Sequence, residues 1–328
     1  MDRATTRHRA AIKVVLADGD IYTAQGLRNA LTNEGYRDVR TVARLTVLRD
    51  VMMAELVDLL VLDVDLPDGN AIGLVKDVRR GGMGRNPFLP IILLTWASEP
   101  KAVQRAVNSG VDLILVKPLS PAQLFSRIDG LVADRKPFVV TADYVGPDRR
   151  SQEDPKAAGR FDVPNTLKEK MEGRPVDLAA LSGRIGAALQ QMNASRLVQA
   201  GVKLAAGVDA VCRAVEADDI MDEMEDDLDD LCRLAKSIGS LGGPGIRKLC
   251  RPLLKIMKTM RADIDEIETK QAELLRPLSH SILLAAKESL SVNPVMEEIN
   301  HALSSFAPRM QSGKAAEEPL PDTAVLVD

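Results

Sequence analysis

The chain has 328 residues, 45% of them hydrophobic and 27% charged, with a formal net charge of −4. That length exceeds the ~250 residues a single core usually supports, so two domains are expected. The charge gives no general pull toward nucleic acid or anionic membrane, and 3% aromatics leave few platforms for stacking single-stranded bases. No apolar stretch approaches the length of a membrane span. Cys212, Cys232 and Cys250 form no CxxC pair and suit a reducing interior better than a disulfide framework or zinc site. Met1 to Ala11 is polar and basic without the apolar core of a signal peptide. The expectation is a cytoplasmic protein with a disordered tail over residues 1–11.

Residues 12–133 alternate short apolar runs with amphipathic ones. Strands are predicted near 12–17, 38–42, 58–63, 89–95 and 112–116. Helical patterns lie between and after them, from Tyr22 to Asn33, Leu45 to Leu56, Ile72 to Arg80, Lys101 to Asn108 and Pro121 to Val132. Units of this kind predict a doubly wound parallel sheet with right-handed crossovers. Pro, Gly, Asp and Arg then dominate 134–176, which reads as an extended linker. From 177 to 308 apolar residues recur at helical spacing with almost no strand signal, which predicts a bundle of four to six helices. Residues 309–328 are expected to be a disordered tail.

Polar groups end four of the strand runs. Asp18 follows Ile12 to Ala17, Asp63 follows Leu59 to Leu62, Thr95 follows Ile91 to Leu94, and Lys117 follows Leu113 to Val116. Open α/β sheets place ligands at this carboxyl edge. An Asp alone at a strand end is usually a turn former; four groups at matching ends suggest a site. Asp63 has the chemistry of a carboxylate nucleophile toward phosphorus. Asp18 and Asp63 offer oxygens for Mg²⁺, while the Thr95 hydroxyl and Lys117 ammonium are donors for phosphoryl oxygens. Phosphoryl transfer asks mainly for positioning and charge neutralisation, which such groups supply.

The set Leu16-Ala17-Asp18, Val61-Leu62-Asp63-Val64-Asp65-Leu66-Pro67-Asp68-Gly69, Leu94-Thr95 and Val116-Lys117-Pro118 resembles the receiver domain of two-component response regulators. The resemblance implies a flavodoxin-like fold with five parallel strands ordered 2-1-3-4-5. It implies that a sensor histidine kinase or histidine phosphotransfer protein delivers phosphate to Asp63, with Thr95 and Lys117 reading it. It also implies a Mg²⁺ held by Asp18, Asp63 and the Asp65 backbone carbonyl. Three positions depart from the family pattern. Gly19 replaces a second acid, for which Asp20 could act through water. Trp96 replaces a small residue and would narrow access for the phosphodonor. Ile114 replaces an aromatic switch residue.

The helical region holds two charge blocks. Glu216 to Asp230 carries ten acids and no base, and Ile246 to Arg261 carries Arg247, Lys248, Arg251, Lys255, Lys258 and Arg261. Two solvated helix faces, paired with each other, explain them best. Nucleic-acid binding is not expected, since no helix-turn-helix partner is recognisable. Nor is calcium binding, since the acids lack EF-hand spacing. Leu231 to Gly242 is weakly similar to a histidine phosphotransfer domain with Arg233 at the histidine position; a Gly-rich turn between bundle helices explains the same letters. Arg149 and Arg150, in Tyr144 to Arg150, could meet the acidic block.

The reading is a response regulator that signals through a helical, protein-binding domain, is not a conventional enzyme beyond self-phosphorylation and slow self-dephosphorylation, and is compatible with a homodimer. One alternative is a phosphorylation-independent pseudo-receiver scaffold or adaptor, which Gly19 and Trp96 favour. A third reading is a DNA-binding transcriptional regulator.

Overall fold

A computed structural model describes residues 7–96, 100–149, 160–217, 224–264, 267 and 269–288. The expected tail at 309–328, the end of the helical region from 289, Arg150 and the centre of the acidic block lie outside these residues. The chain divides into two compact units, Met1–Gln199 and Ala200–Asp328.

In the first unit, β1 (Lys13–Ala17), β2 (Asp38–Val42), β3 (Leu59–Asp63), β4 (Ile91–Thr95) and β5 (Leu113–Val116) form one parallel sheet in the order β2-β1-β3-β4-β5. This is the expected flavodoxin-like arrangement. Strand residues alternate between two buried layers, because successive side chains point to opposite faces. Val14, Leu16, Val61 and Ile92 pack with α1 (Ile21–Asn33) and α5 (Pro121–Ala133). Val15, Leu60, Leu62 and Leu93 pack with α2 (Leu45–Ala54), α3 (Ile72–Arg79) and α4 (Pro100–Val107). Both faces are covered, so the strands read as continuous apolar runs. A residue expected in the first tail is also packed: Arg9 is buried and pairs with Glu34.

Residues 134–176, expected as an extended linker, are partly built into the unit. Strands β6 (Phe138–Val140), β7 (Val145–Pro147) and β8 (Arg160–Phe161) pair in the order β8-β6-β7, antiparallel, and a short helix, α6 (Thr166–Met171), follows. Gly110 has φ +93° and Gly146 lies against it; a β-carbon on Gly146 would come within 2.6 Å of the Gly110 Cα. The absence of side chains at both positions permits this approach. Phe138 packs edge-on against Phe88 with ring centroids 5.8 Å apart.

Helix α7 (Leu178–Glu216) starts in this unit, where Leu181, Ile185, Ala188 and Met192 cluster with Phe88, Phe138, Val140 and Val145. Its later residues belong to the second unit with α8 (Met224–Leu241), α9 (Gly243–Ala262) and α10 (Thr269–Lys287). That gives four helices among the described residues of the region expected to be helical. The Leu231 to Gly242 segment is the C-terminal half of α8 and the turn into α9, where Gly243 takes φ +69°. Arg261 pairs with Glu225 and Asp229, so the two charge blocks do meet at one end. The Arg149 guanidinium donates to the carbonyls of Val111 and Asp112, which end the loop before β5. No described helix is long and apolar enough to cross a membrane.

Candidate functional site

The parallel register brings the polar strand ends together. Ala17 pairs with both Val42 and Leu62, Asp63 pairs with Leu94, and Thr95 pairs with Val116. Asp18, Asp63, Thr95 and Lys117 therefore end neighbouring strands, and all four are buried. Lys117 Nζ donates to Asp18 Oδ2 at 2.6 Å and to Asp63 Oδ2. One ammonium thus bridges two carboxylates contributed by different strands. Burial, the largest single influence, pulls the Lys117 pKa down; the hydrogen bonds and charges of Asp18 and Asp63 outweigh it, and the net shift is upward.

The remaining carboxylate oxygens hold the loops in place. Asp18 Oδ1 accepts the Asp20 amide at 2.9 Å, and Asp63 Oδ1 accepts the Asp65 amide at 3.1 Å. Asp20, which could reach a metal through water, is the N-cap of α1. It accepts the amides of Tyr22 and Thr23 and the Thr23 hydroxyl, at 3.1, 3.3 and 2.6 Å. The Thr23 hydroxyl and the cap amides lower its pKa. Asp65 is exposed and accepts from Asn70 Nδ2.

The chemistry of the donor set accommodates Mg²⁺ in a lean form. No group of three or more His, Cys, Asp or Glu side chains converges among the described residues, but Mg²⁺ is commonly held by one or two carboxylates with water and phosphate oxygens. Asp18 and Asp63 supply that pair. A third carboxylate at position 19 has no room, since a β-carbon on Gly19 would meet Pro67 Cδ at 2.8 Å.

Trp96 stands at the rim, exposed, with its ring centroid 5.8 Å from Lys117 Nζ. It borders a cavity of about 280 Å³ lined also by Thr23, Leu27, Lys117, Pro118 and Pro121. Ile114, at the position expected to be aromatic, packs against the α2–α3–α4 layer. Sequence reasoning missed Asp68, which caps α2 from a different loop. It accepts the Leu45 and Thr46 amides at 2.6 and 3.0 Å and the Thr46 hydroxyl at 2.9 Å. No local signal shows this, because cap and helix are separated in sequence. The cap hydrogen bonds, that from the Thr46 amide foremost, bring Asp68 down to about 2.

Residues 14–129 match the family model described as the response regulator receiver domain. The transcriptional regulatory protein GltR of Pseudomonas aeruginosa is 33% identical over 119 residues, 36% of this chain and 48% of GltR. The phosphate regulon transcriptional regulatory protein PhoB of Escherichia coli is 34% identical over 83 residues, 25% of this chain and 35% of PhoB. The chain thus spans about half the length of these relatives, or less. Among solved structures, chemotaxis protein CheY4 of Vibrio cholerae matches at 28% identity and TM-score 0.33, covering 36% of this chain and 96% of CheY4. With its parallel sheet in the order β2-β1-β3-β4-β5, the segment 14–129 is a receiver domain of the response regulators of two-component signalling.

Proposed function

We propose that this chain works in the cytoplasm as a phosphorylation-responsive regulator, with Asp63 as phosphoacceptor and the helical unit as a protein-binding output. The observation that carries this reading is the buried Lys117 ammonium shared between Asp18 and Asp63. A sensor histidine kinase or histidine phosphotransfer protein is the donor in this reading. An Asp63 oxygen attacks phosphorus, a P–O bond forms, and the donor's N–P bond breaks with its electron pair leaving on the imidazole. Lys117 offsets charge on the incoming phosphoryl oxygens, and the Thr95 hydroxyl, one strand away, is a donor for one of them. Asp18, Asp63 and the Asp65 carbonyl would hold Mg²⁺, which when bound neutralises phosphoryl charge. The phosphate adds roughly −2 of charge, enough to bias a two-state surface that the helical unit reads.

Intact mass after incubation with Mg²⁺ and acetyl phosphate tests this. A phosphoryl adduct absent from Asp63→Asn is expected. The close Gly19–Pro67 approach, which leaves no room for a third acid, favours a phosphate-independent scaffold as the second reading. No adduct with either acetyl phosphate or a phosphorylated histidine phosphotransfer protein would select it. Steep salt-dependent retention on heparin would instead support DNA binding.

A further inference from the structure

We infer that His280, on α10, is a phosphoryl-accepting histidine oriented by Asp209 of α7. His280 Nε2 lies 3.3 Å from Asp209 Oδ2. A carboxylate only accepts, so Nε2 carries the proton in the neutral ring and the lone pair is on Nδ1. Asp209 is itself held: its Oδ1 accepts Arg276 Nε at 3.2 Å, and Arg276 Nη1 reaches Glu216 at 3.0 Å. Arg213 Nε bonds the Asp209 carbonyl at 3.2 Å, and its guanidinium makes no ion pair among the described residues. Ala206, Asp209, Arg213, Arg276 and His280 together line an open cavity of about 550 Å³. An exposed imidazole of fixed tautomer beside two guanidinium groups suits a phosphoryl group, whose oxygens are strong acceptors.

A second observation concerns what docks there. Gly201 of α7 lies tight against α10, since a β-carbon on it would come within 3.3 Å of the Leu283 Cα. On the same helix faces, one turn from the cavity, are Val202 and Leu284. They are the exposed large apolar side chains among the described residues of this unit. Positions 202, 206, 209 and 213 share one stripe of α7, as 276, 280 and 284 share one of α10. A histidine on a helix pair with an apolar rim matches the exposed apolar side chains of the receiver: Ile21 and Tyr22, which open α1 three residues after Asp18, and Trp96, which stacks over Lys117. The occupant is therefore the phosphorylated receiver of a second copy of this chain, a donor that rests on the function proposed above. Nδ1 of His280 attacks phosphorus and an N–P bond forms. The P–O bond to Asp63 breaks, its electron pair returns to the carboxylate, and the Nε2 proton stays toward Asp209. No further reactant is needed.

Two full-length variants test this. His280→Gln is labelled with radioactive acetyl phosphate and Mg²⁺, freed of donor and mixed with Asp63→Asn. Alkali-stable, acid-labile label in the His280 peptide of the recipient is expected. In parallel, phosphoramidate, which phosphorylates imidazole directly, is applied to Asp63→Asn. Label several-fold higher at His280 than at His8 or His301 is expected, and ring ¹⁵N shifts should show an Nε2–H tautomer that Asp209→Ala mixes. Failure of His280→Gln to take label overturns only the phosphoacceptor reading of Asp63, because phosphoramidate still reports on His280. Label on Asp63 that does not pass, or phosphoramidate labelling at His280 no higher than at the other histidines, overturns the inference.

Discussion

Gly19 and Pro67 compete for one volume: a β-carbon on Gly19 would lie 2.8 Å from Pro67 Cδ and 3.1 Å from Cγ. A proline ring offers no flexible end that could swing aside. The missing acid after Asp18 is therefore matched by the loop that follows Asp63. Gly19→Asp alone is expected to destabilise the receiver by about 1–3 kcal/mol through overpacking. Gly19→Asp with Pro67→Ala is expected to recover much of that loss and to tighten Mg²⁺ binding. Urea denaturation and Mg²⁺ titration of Trp96 fluorescence measure the two effects; equal Mg²⁺ affinity in the wild type and the double variant would show that coordination is limited elsewhere.

Lys117 occupies the carboxylate oxygens that a cation would use. Lys117→Met should weaken the metal-free fold, since it leaves two buried carboxylates without their shared counter-charge. The same variant should bind Mg²⁺ more tightly, because the competing ammonium is gone. Calorimetric titration is the check, and weaker binding would mean that Lys117 organises the carboxylates rather than competing for them.

Trp96 is exposed and contacts Lys117 through its ring face. Such a contact is worth about 0.5–1 kcal/mol at an exposed position, so Trp96→Ala should barely change stability. It should load acetyl phosphate several-fold faster if the indole narrows the approach to Asp63. Initial rates by intact mass decide, with an unchanged rate assigning Trp96 to the rim alone.

Asp68 ties the loop after β3 to α2. Its folded pKa, about 2, lies below the ~3.9 of an unfolded aspartate. A depressed carboxyl stabilises most where the unfolded group is ionised, so its contribution is complete above about pH 4 and is lost as the pH falls toward about 2. Asp68→Asn should thus lower the urea midpoint at neutral pH and converge with wild type in acid. A constant difference across that window would show that the side chain acts without its charge.

Asp112 is buried and accepts Arg79 Nη2 at 2.8 Å, Arg135 Nε at 2.7 Å and the Ile91 amide at 2.8 Å. Asp112→Ala leaves two buried guanidinium groups without their anion, and a loss of about 3–5 kcal/mol is expected. Burial already draws Arg79 down to about 10. A loss below about 1 kcal/mol in urea denaturation, within the range of an ordinary hydrogen bond, would show that the backbone carbonyls around Arg79 suffice.

The receiver was legible because the strands of a doubly covered sheet read as unbroken apolar runs. Asp18, Asp63 and Lys117 each interrupt such a run, and parallel pairing then aligns the interruptions. The cap role of Asp20 carries a local signal, since an Asp directly ahead of an amphipathic run is a cap. Asp68 could not be read, since a cap supplied from another loop follows no spacing rule. The sheet of residues 138–161 was hidden for a similar reason. Its strands have two or three residues, too few to show alternation, and they are held by Gly110–Gly146 and by Arg79, Asp112 and Phe138, all joined only in space.

Phe138 gives the first unit a border that likeness to other receivers does not reveal. Its ring is sandwiched near the guanidinium groups of Arg79 and Arg135, at 5.1 and 5.0 Å, and against Phe88. The family match stops at residue 129. Anyone cutting out the receiver there would remove Phe138, Val140, Val145 and Leu181 from the cluster around Phe88 and leave that ring bare to water. A soluble, well-behaved fragment should instead run to the end of the unit, near Gln199.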